Sequence, residues 1–249
     1  MGLSLAVSEA HAYYIPVGHA GTEANLPVDK VLGILREVVE SKEIAKVGQN
    51  LKYDYQVLRN HGIRLGGIAF DTMVAAYLID PGKRQYGLDG LATEWLGISL
   101  TSIETLIGKG KDQRPFAEVP VEEAATYSGE DAVVPLRLKA VLEPVLVRKE
   151  LTRLFETVEV PLVTVLAEME WQGITIDTDL MRELSAERTA ELTAISRDIY
   201  AMAGAEFNLN SPKQVSEMLF GRLQLPRSKR TKTGLSTNVA ALEKLAPDY

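Results

Sequence analysis

The sequence contains no cysteine. That absence excludes disulfides, thiolate zinc sites and a cysteine nucleophile, and it makes a cytoplasmic setting the simple expectation. No apolar run approaches the roughly 20 residues that a membrane-spanning helix needs. The opening MGLSLAVSEAHAYYIPV lacks a basic stretch and meets an acid at Glu9, so it is expected as strand rather than as a secretory leader. Positive charge is also in deficit: 27 Lys and Arg stand against 34 Asp and Glu, a net charge of −7. This argues against a protein that holds nucleic acid by overall charge. It does not argue against a metal-dependent nuclease, whose site needs carboxylates and whose substrate can be held by local basic patches. Internal repeats and low-complexity tracts are lacking, and the three histidines, His11, His19 and His61, are scattered and receive no role. What is plentiful is apolar side chain, 46% of 249 residues, enough for the core of one large domain or two small ones.

Periodicity divides the chain into two textures. Leu3 to Val7 and Tyr13 to Val17 read as short strands joined by a turn over Ser8 to Ala12. After Pro27, the residues Val31, Leu32, Leu35, Val38 and Val39 keep helical spacing. Ile44 to Gln49 is a short apolar run expected as a buried strand. A helix is expected from Leu51 to Asn60, ended at His61-Gly62. Ile68 to Phe70 is a further strand, and Asp71 is placed to cap a helix reaching about Leu78. Alternating strands and helices imply an α/β sheet. From Val121 onward the pattern is almost wholly helical: a long run with Pro161 as a kink or boundary and Gly173 as a stop, a helix capped by Asp177 or Thr178 and reaching about Ala203, and shorter helices near Pro212 to Phe220 and Asn238 to Leu245. The domain boundary is set between residues 149 and 150.

Two constellations carry chemistry. In VGQNLKYDYQVL, residues 47–58, a strand runs into a helix whose first turns bear Asn50, Tyr53 and Asp54, with Asn50 and Asp54 spaced to share a face. In YSGEDAVVPL, residues 127–136, Tyr127 and Asp131 have the same spacing. Carboxylates brought from separate elements, with a tyrosine beside one, suit phosphodiester hydrolysis. Hard cations such as Mg²⁺ take oxygen ligands from one or two carboxylates and substrate phosphate, and two ions roughly 4 Å apart can activate water and stabilise the leaving oxygen. Taken singly, each aspartate is more simply a solvated group or a cap, and each tyrosine a core or rim residue.

The segments GQNLKYD, AFDTM (69–73) and YSGEDA, with IPV (15–17) and GKGK (108–111) in the same order, resemble the exonuclease part of bacterial family A DNA polymerases. EWQGITID (170–177), FNLNSPKQ (207–214) and KTGLST (232–237) resemble the start of that family's polymerase domain. The likeness runs essentially end to end. It implies an RNase H-like 3′–5′ exonuclease domain over residues 1–149, followed by an all-α segment over 150–249 comprising lead-in helices and part of a thumb. It implies that Asp54, Tyr127 and Asp131 are catalytic, that Asp54 and Asp131 hold two Mg²⁺ or Mn²⁺ ions, and that Tyr127 positions the nucleophile. Gln49, Asn50 and Tyr53 would line the groove for a single-stranded 3′ end, where an aromatic ring can stack on any base.

That family's first exonuclease motif, an Asp-x-Glu on the first strand, lies upstream of the segment matching Gly2-Leu3-Ser4. Its absence here leads to the expectation that the exonuclease domain lacks its first strand, that Met1 is an internal start, and that the isolated chain is weak or inactive. The polymerase catalytic motifs lie beyond Tyr249 in the family, so this segment is not expected to copy DNA. In the helical half, Asn208, Asn210, Ser211, Lys232, Ser236 and Thr237 are candidates for phosphate contact with duplex DNA, since helix starts with amide and hydroxyl side chains suit phosphate oxygens. Ser211 and Ser236 as plain helix caps is the competing reading. For the whole chain, a DNA-holding scaffold without catalysis and an RNA-processing exonuclease on the same fold are the alternatives; the second sits poorly with the polymerase-like tail.

Overall fold

The computed structural model describes residues 2–21, 24–226, 230–231 and 234–246. They form two compact units, Met1–Gly173 and Ile174–Tyr249.

In the first unit, β1 (Gly2–Ser8) and β2 (His11–Pro16) pair antiparallel around a two-residue turn, with Leu3 opposite Ile15 and Leu5 opposite Tyr13. The helix α1 (Val28–Glu40) buries Val31 and Leu32 of the expected stripe, half-buries Leu35 and Val39, and leaves Val38 exposed. The expected strand over 44–49 shortens to β3 (Lys46–Gly48), which pairs in parallel with β4 (Ile68–Asp71). Between them lies α2 (Leu51–Asn60), matching its sequence-derived bounds and closed by His61 and by Gly62 at φ +71°. The turn back toward β4 passes Gly67, where φ is +65° and a Cβ would lie 2.4 Å from the Ile44 carbonyl oxygen, so only glycine fits.

Asp71 caps α3 (Thr72–Ile79), accepting from the Met73 and Val74 amides as the sequence suggests. This helix is largely apolar and mostly buried, with Tyr77 exposed: Ala75, Ala76 and Ile79 join Phe70, Leu91, Leu138, Leu142 and Leu146 in the main core. Next come α4 (Leu88–Leu96) and the short α5 (Ile103–Ile107). The longest element, α6 (Val121–Arg148), continues through Pro135 and Pro144. It packs on both hairpin strands, on β3, and on α3 and α4. The hairpin β1–β2 and the pair β3–β4 are therefore separate two-stranded sheets that share one supporting helix.

After α7 (Thr152–Leu154), a π-helical turn over Phe155–Glu159 leads into α8 (Val160–Gln172). Pro161 stands just after the π-helical turn, in a run whose backbone stays helical from Thr152 to Gln172, so it marks the point where the π turn gives way to α8. The expected division at 149/150 falls just before α7, whereas the compact units divide after Gly173. The reason is burial: Phe155 and Val160 enter the main core, and Ala167 packs against Leu51, Tyr55 and Leu65.

The second unit is mostly helical. It begins with α9 (Thr178–Ala203), capped by Asp177, whose carboxylate accepts from the Asp179 and Leu180 amides. α10 (Pro212–Ser216) continues into a π-helical turn, Glu217–Arg222. A pair of two-residue strands, β5 (Arg230–Thr231) and β6 (Gly234–Leu235), precedes α11 (Val239–Glu243). Among the described residues no helix is long and apolar enough to cross a membrane.

Candidate active site

α2 presents Asp54 in its first turn, and α6 presents Tyr127 and Asp131 one turn apart. The structure brings these three together. The Tyr127 hydroxyl is close enough to the Asp131 carboxylate for each to shift the other's titration, the hydroxyl favouring the charged carboxylate. Burial, aided by the charges of Asp71 and Asp131, raises Asp54 to about 6, against the pull of its own backbone N–H. Asp131 is likewise pushed to about 6, chiefly by burial, with Asp89 and Glu130 adding to the rise and the Tyr127 hydroxyl opposing it. Tyr127 itself reaches about 12, through burial first and then the Asp131 charge. Each of these shifts reports carboxylates crowded into a partly desolvated place, which is what a site awaiting positive charge looks like.

The groove candidates divide. Tyr53 is 66% exposed, so its ring is free to meet a ligand. Gln49 is held at both ends of its amide: Nε2 donates to the Tyr86 carbonyl at 2.7 Å and Oε1 accepts from the Thr72 hydroxyl. Asn50 does not share a helical face with Asp54, because it precedes the helix in the left-handed conformation, φ 55° and ψ 50°. The turn out of β3 demands a positive φ there, which asparagine tolerates well.

Sequence reasoning missed the second task of Asp71. It is 1% exposed. Besides capping α3, it accepts from the Asn50 amide at 3.1 Å and the Leu51 amide at 2.8 Å, so one carboxylate closes the starts of both α2 and α3. The contact spans 20 positions and no local spacing announces it; the only signal was an aspartate buried where a strand meets a helix. Asp89 and Glu130 also went unnoticed, and Glu130 is committed to the Thr101 amide at 2.8 Å.

In the second unit, Ser211 is a helix cap, its hydroxyl accepting from the Gln214 amide at 3.4 Å. Asn208 accepts from the Asn210 amide at 2.9 Å, and its own amide donates to Gln214 at 2.8 Å. Ser236 accepts from the Asn238 amide, and it is Asn238 that caps α11. Thr237 is half-buried beside it. Lys232 lies outside the described residues.

The donor set for a cation is Asp54 and Asp131, since the Asp71 oxygens are occupied by backbone N–H groups. Among the described residues no group of three or more His, Cys, Asp or Glu side chains is assembled to hold a metal ion alone. Two neighbouring carboxylates open to water fit a hard divalent cation whose shell is completed by water and substrate phosphate.

Residues 1–147, the mixed α/β unit that carries this carboxylate pair and tyrosine, match the 3′–5′ exonuclease family model. Residues 178–249 match the model for DNA polymerase family A. The chain belongs to the bacterial DNA polymerase I family. It is 39% identical to DNA polymerase I of Pseudomonas aeruginosa over 99% of this chain and 28% of that protein. It is 40% identical to DNA polymerase I of Chloroflexus aurantiacus over 100% of this chain and 27% of that one. The chain thus spans little more than a quarter of the curated relatives it matches. Among solved structures, it resembles the POL domain of Pol1 from M. smegmatis in complex with DNA primer-template and dNTP. That likeness has a TM-score of 0.66 and 29% identity, and covers 95% of this chain and 36% of the other.

Proposed function

We propose that this chain carries the 3′–5′ proofreading site of a replication and repair polymerase, acting on the 3′ end of single-stranded DNA in the cytoplasm. The observation that carries this reading is the coupling of Asp54, Tyr127 and Asp131: a carboxylate from α2 feels the charge of one from α6, and the latter's charge is favoured by the tyrosine hydroxyl. The exonuclease family match over the same residues supports it.

Asp54 and Asp131 would hold two Mg²⁺ or Mn²⁺ ions together with the scissile phosphate, and these supply Lewis-acid activation of water and neutralisation of the leaving oxygen. The chain's own groups set the geometry. Tyr127, raised to about 12, stays protonated at neutral pH. It is therefore a hydrogen-bonding guide for the attacking water and not a base. The exposed ring of Tyr53 offers a base-stacking surface indifferent to sequence. Gln49 and Asn50 shape the backbone turn beside it. In the second unit, Asn208, Asn210, Ser211, Lys232, Ser236 and Thr237 would meet the phosphates of duplex DNA, the substrate class seen with the M. smegmatis relative.

The test is Mg²⁺-dependent shortening of a 5′-labelled single-stranded oligonucleotide, run beside Asp131→Ala. A ladder receding from the 3′ end that disappears in the variant supports the reading. Binding of the oligonucleotide without any shortening, both by this chain and by one extended upstream with an Asp-x-Glu strand, overturns it in favour of a DNA-holding module.

A further inference from the structure

Asp71 is a buried acid that the hydrolysis itself does not use. Its two oxygens have different tasks. Oδ1 accepts from the Met73, Val74 and Asn50 amides at 2.9, 3.3 and 3.1 Å. Oδ2 accepts from the Leu51 amide alone, at 2.8 Å. A cap for α3 needs only the first two bonds. The other two reach across the sheet pair to the turn that launches α2, and the next residue extends the grip: the Thr72 hydroxyl donates to Gln49 Oε1 and lies 3.2 Å from the Gly48 carbonyl. Three successive residues of the turn, Gly48 to Asn50, together with the first residue of α2, are thereby held by Asp71 and Thr72. Asp54 stands within the same first turn of that helix.

We propose that Asp71 is the positioning residue for Asp54, fixing the start of α2 so that the Asp54 carboxylate is held facing Asp131. This rests on the exonuclease reading above and deepens it. The Leu51 amide is the first donor of a helix with no donor-satisfying side chain at its own cap position, since Asn50 makes no side-chain cap bond. Asp71 does from a distance what Asn50 does not do locally. The backbone donors at the two helix starts favour the charge of Asp71, although burial outweighs them and raises its carboxyl above the ordinary range. Loss of the Oδ2 bond would free the first turn of α2, and with it Asp54, while leaving α3 capped.

Asp71→Asn makes that separation experimentally. The amide oxygen can keep the bonds of Oδ1, while the amide nitrogen, in place of Oδ2, faces the Leu51 N–H donor to donor. For the whole chain, we expect the variant to remain folded and its KM for a single-stranded oligonucleotide to stay within about twofold of the original. We expect kcat to fall, and the Mg²⁺ concentration for half-maximal rate to rise, by about 10-fold or more, the usual scale for losing a group that orients a metal ligand. A lower melting temperature with both kinetic quantities unchanged would make Asp71 a structural cap and overturn the proposal. Amide hydrogen exchange separates this outcome from failure of the exonuclease reading. If neither the original chain nor one extended upstream with an Asp-x-Glu strand hydrolyses DNA, that reading fails. The positioning role then stands if exchange at Leu51 to Asp54 quickens about tenfold in the variant while Met73 and Val74 stay protected, and it falls if both helices respond alike.

Discussion

The Tyr14 hydroxyl donates to Nε2 of His19 across 2.6 Å, and this is possible because the other ring nitrogen of His19 carries its proton toward the Val119 carbonyl, 2.9 Å away. A carbonyl can only accept, so the tautomer follows from the partner. The pair joins β2 to the segment that leads into α6. The Ala20 amide adds a bond to the Ala117 carbonyl at 2.7 Å. Phe116, between these anchors, lays its ring 6.3 Å from His19 and 6.0 Å from Tyr127, centroid to centroid. A histidine without evident purpose in the sequence thus backs, through the Phe116 ring, the side of Tyr127.

Replacing His19 with Leu should therefore destabilise the protein. His19 is 5% exposed and Val119 2%, so a buried carbonyl and a tyrosine hydroxyl lose their partner, at a cost of about 1–3 kcal/mol. Urea unfolding would measure it. A change below about 0.5 kcal/mol, the range of ordinary surface substitutions, would show that the bridge carries little.

The crowded carboxylates give a pH signature. Asp54 and Asp131 each stand near 6 in the folded chain against an ordinary value of 3.8. The folded state therefore keeps protons that the unfolded state releases. The stability they contribute is present below about pH 4 and is lost as pH rises through about 6. Asp54→Asn and Asp131→Asn should flatten that decline and raise stability near pH 7.5 by about 1 kcal/mol each, a figure reduced for solvent screening because both groups touch water. Metal-free urea titrations across this range would test it, and Asn variants that are less stable at the upper end would refute it.

Tyr127→Phe removes the hydroxyl and nothing else. On the proposed mechanism, kcat for oligonucleotide hydrolysis should fall by about 100-fold, the lower range for a group that guides a reacting proton or water, with KM little altered. The same change deletes the hydroxyl that holds Asp131 down. The acidic limb of the rate profile should consequently move to higher pH. A rate equal to that of the original chain would remove Tyr127 from the mechanism.

Two glycines offer a matched comparison. Gly62 and Gly67 have φ of +71° and +65°, but a Cβ at Gly62 meets open space whereas one at Gly67 would sit 2.4 Å from the Ile44 carbonyl oxygen. Gly62→Ala should cost about 1 kcal/mol of backbone strain. Gly67→Ala should cost distinctly more, since the chain between α1 and β3 must move. Thermal or urea denaturation of the two variants side by side would decide it, and equal losses would mean that the carbonyl gives way freely.

Much of this architecture was legible along the chain. Helix α2 has the bounds its apolar spacing implies, the caps Asp71 and Asp177 are where their residue types favour them, and Gly173 stops α8. Local chemistry decides such features, so local pattern reveals them. The run Ile44 to Gln49 misled because Ile44 is 44% exposed and only Lys46–Gly48 finds a strand partner. Asp54, Tyr127 and Asp131 stood out as residue types, but their proposed roles came from the family resemblance, and the shared face of Asn50 and Asp54 that spacing implied is not formed. The grip of Asp71 on Leu51 and the bridge from His19 to Val119 were not legible, because each joins positions far apart in sequence through backbone groups that every residue possesses.

The last helix of the first unit bears on how such proteins can be recombined. Residues 148–177 lie outside both family matches, yet α8 lines the back of α2. Ala167, fully buried, packs with Leu51 and Tyr55, Glu168 accepts the Tyr55 hydroxyl, Glu170 pairs with Lys52 at 2.6 Å, and the Arg59 guanidinium lies 5.1 Å from the Trp171 ring. The stretch that looks like a connector between modules is thus the rear wall of the nuclease half. A chimaera that joins this half to a foreign polymerase must carry α8 with it. Lineages that exchanged the two halves at residue 147 would have inherited an unbacked α2.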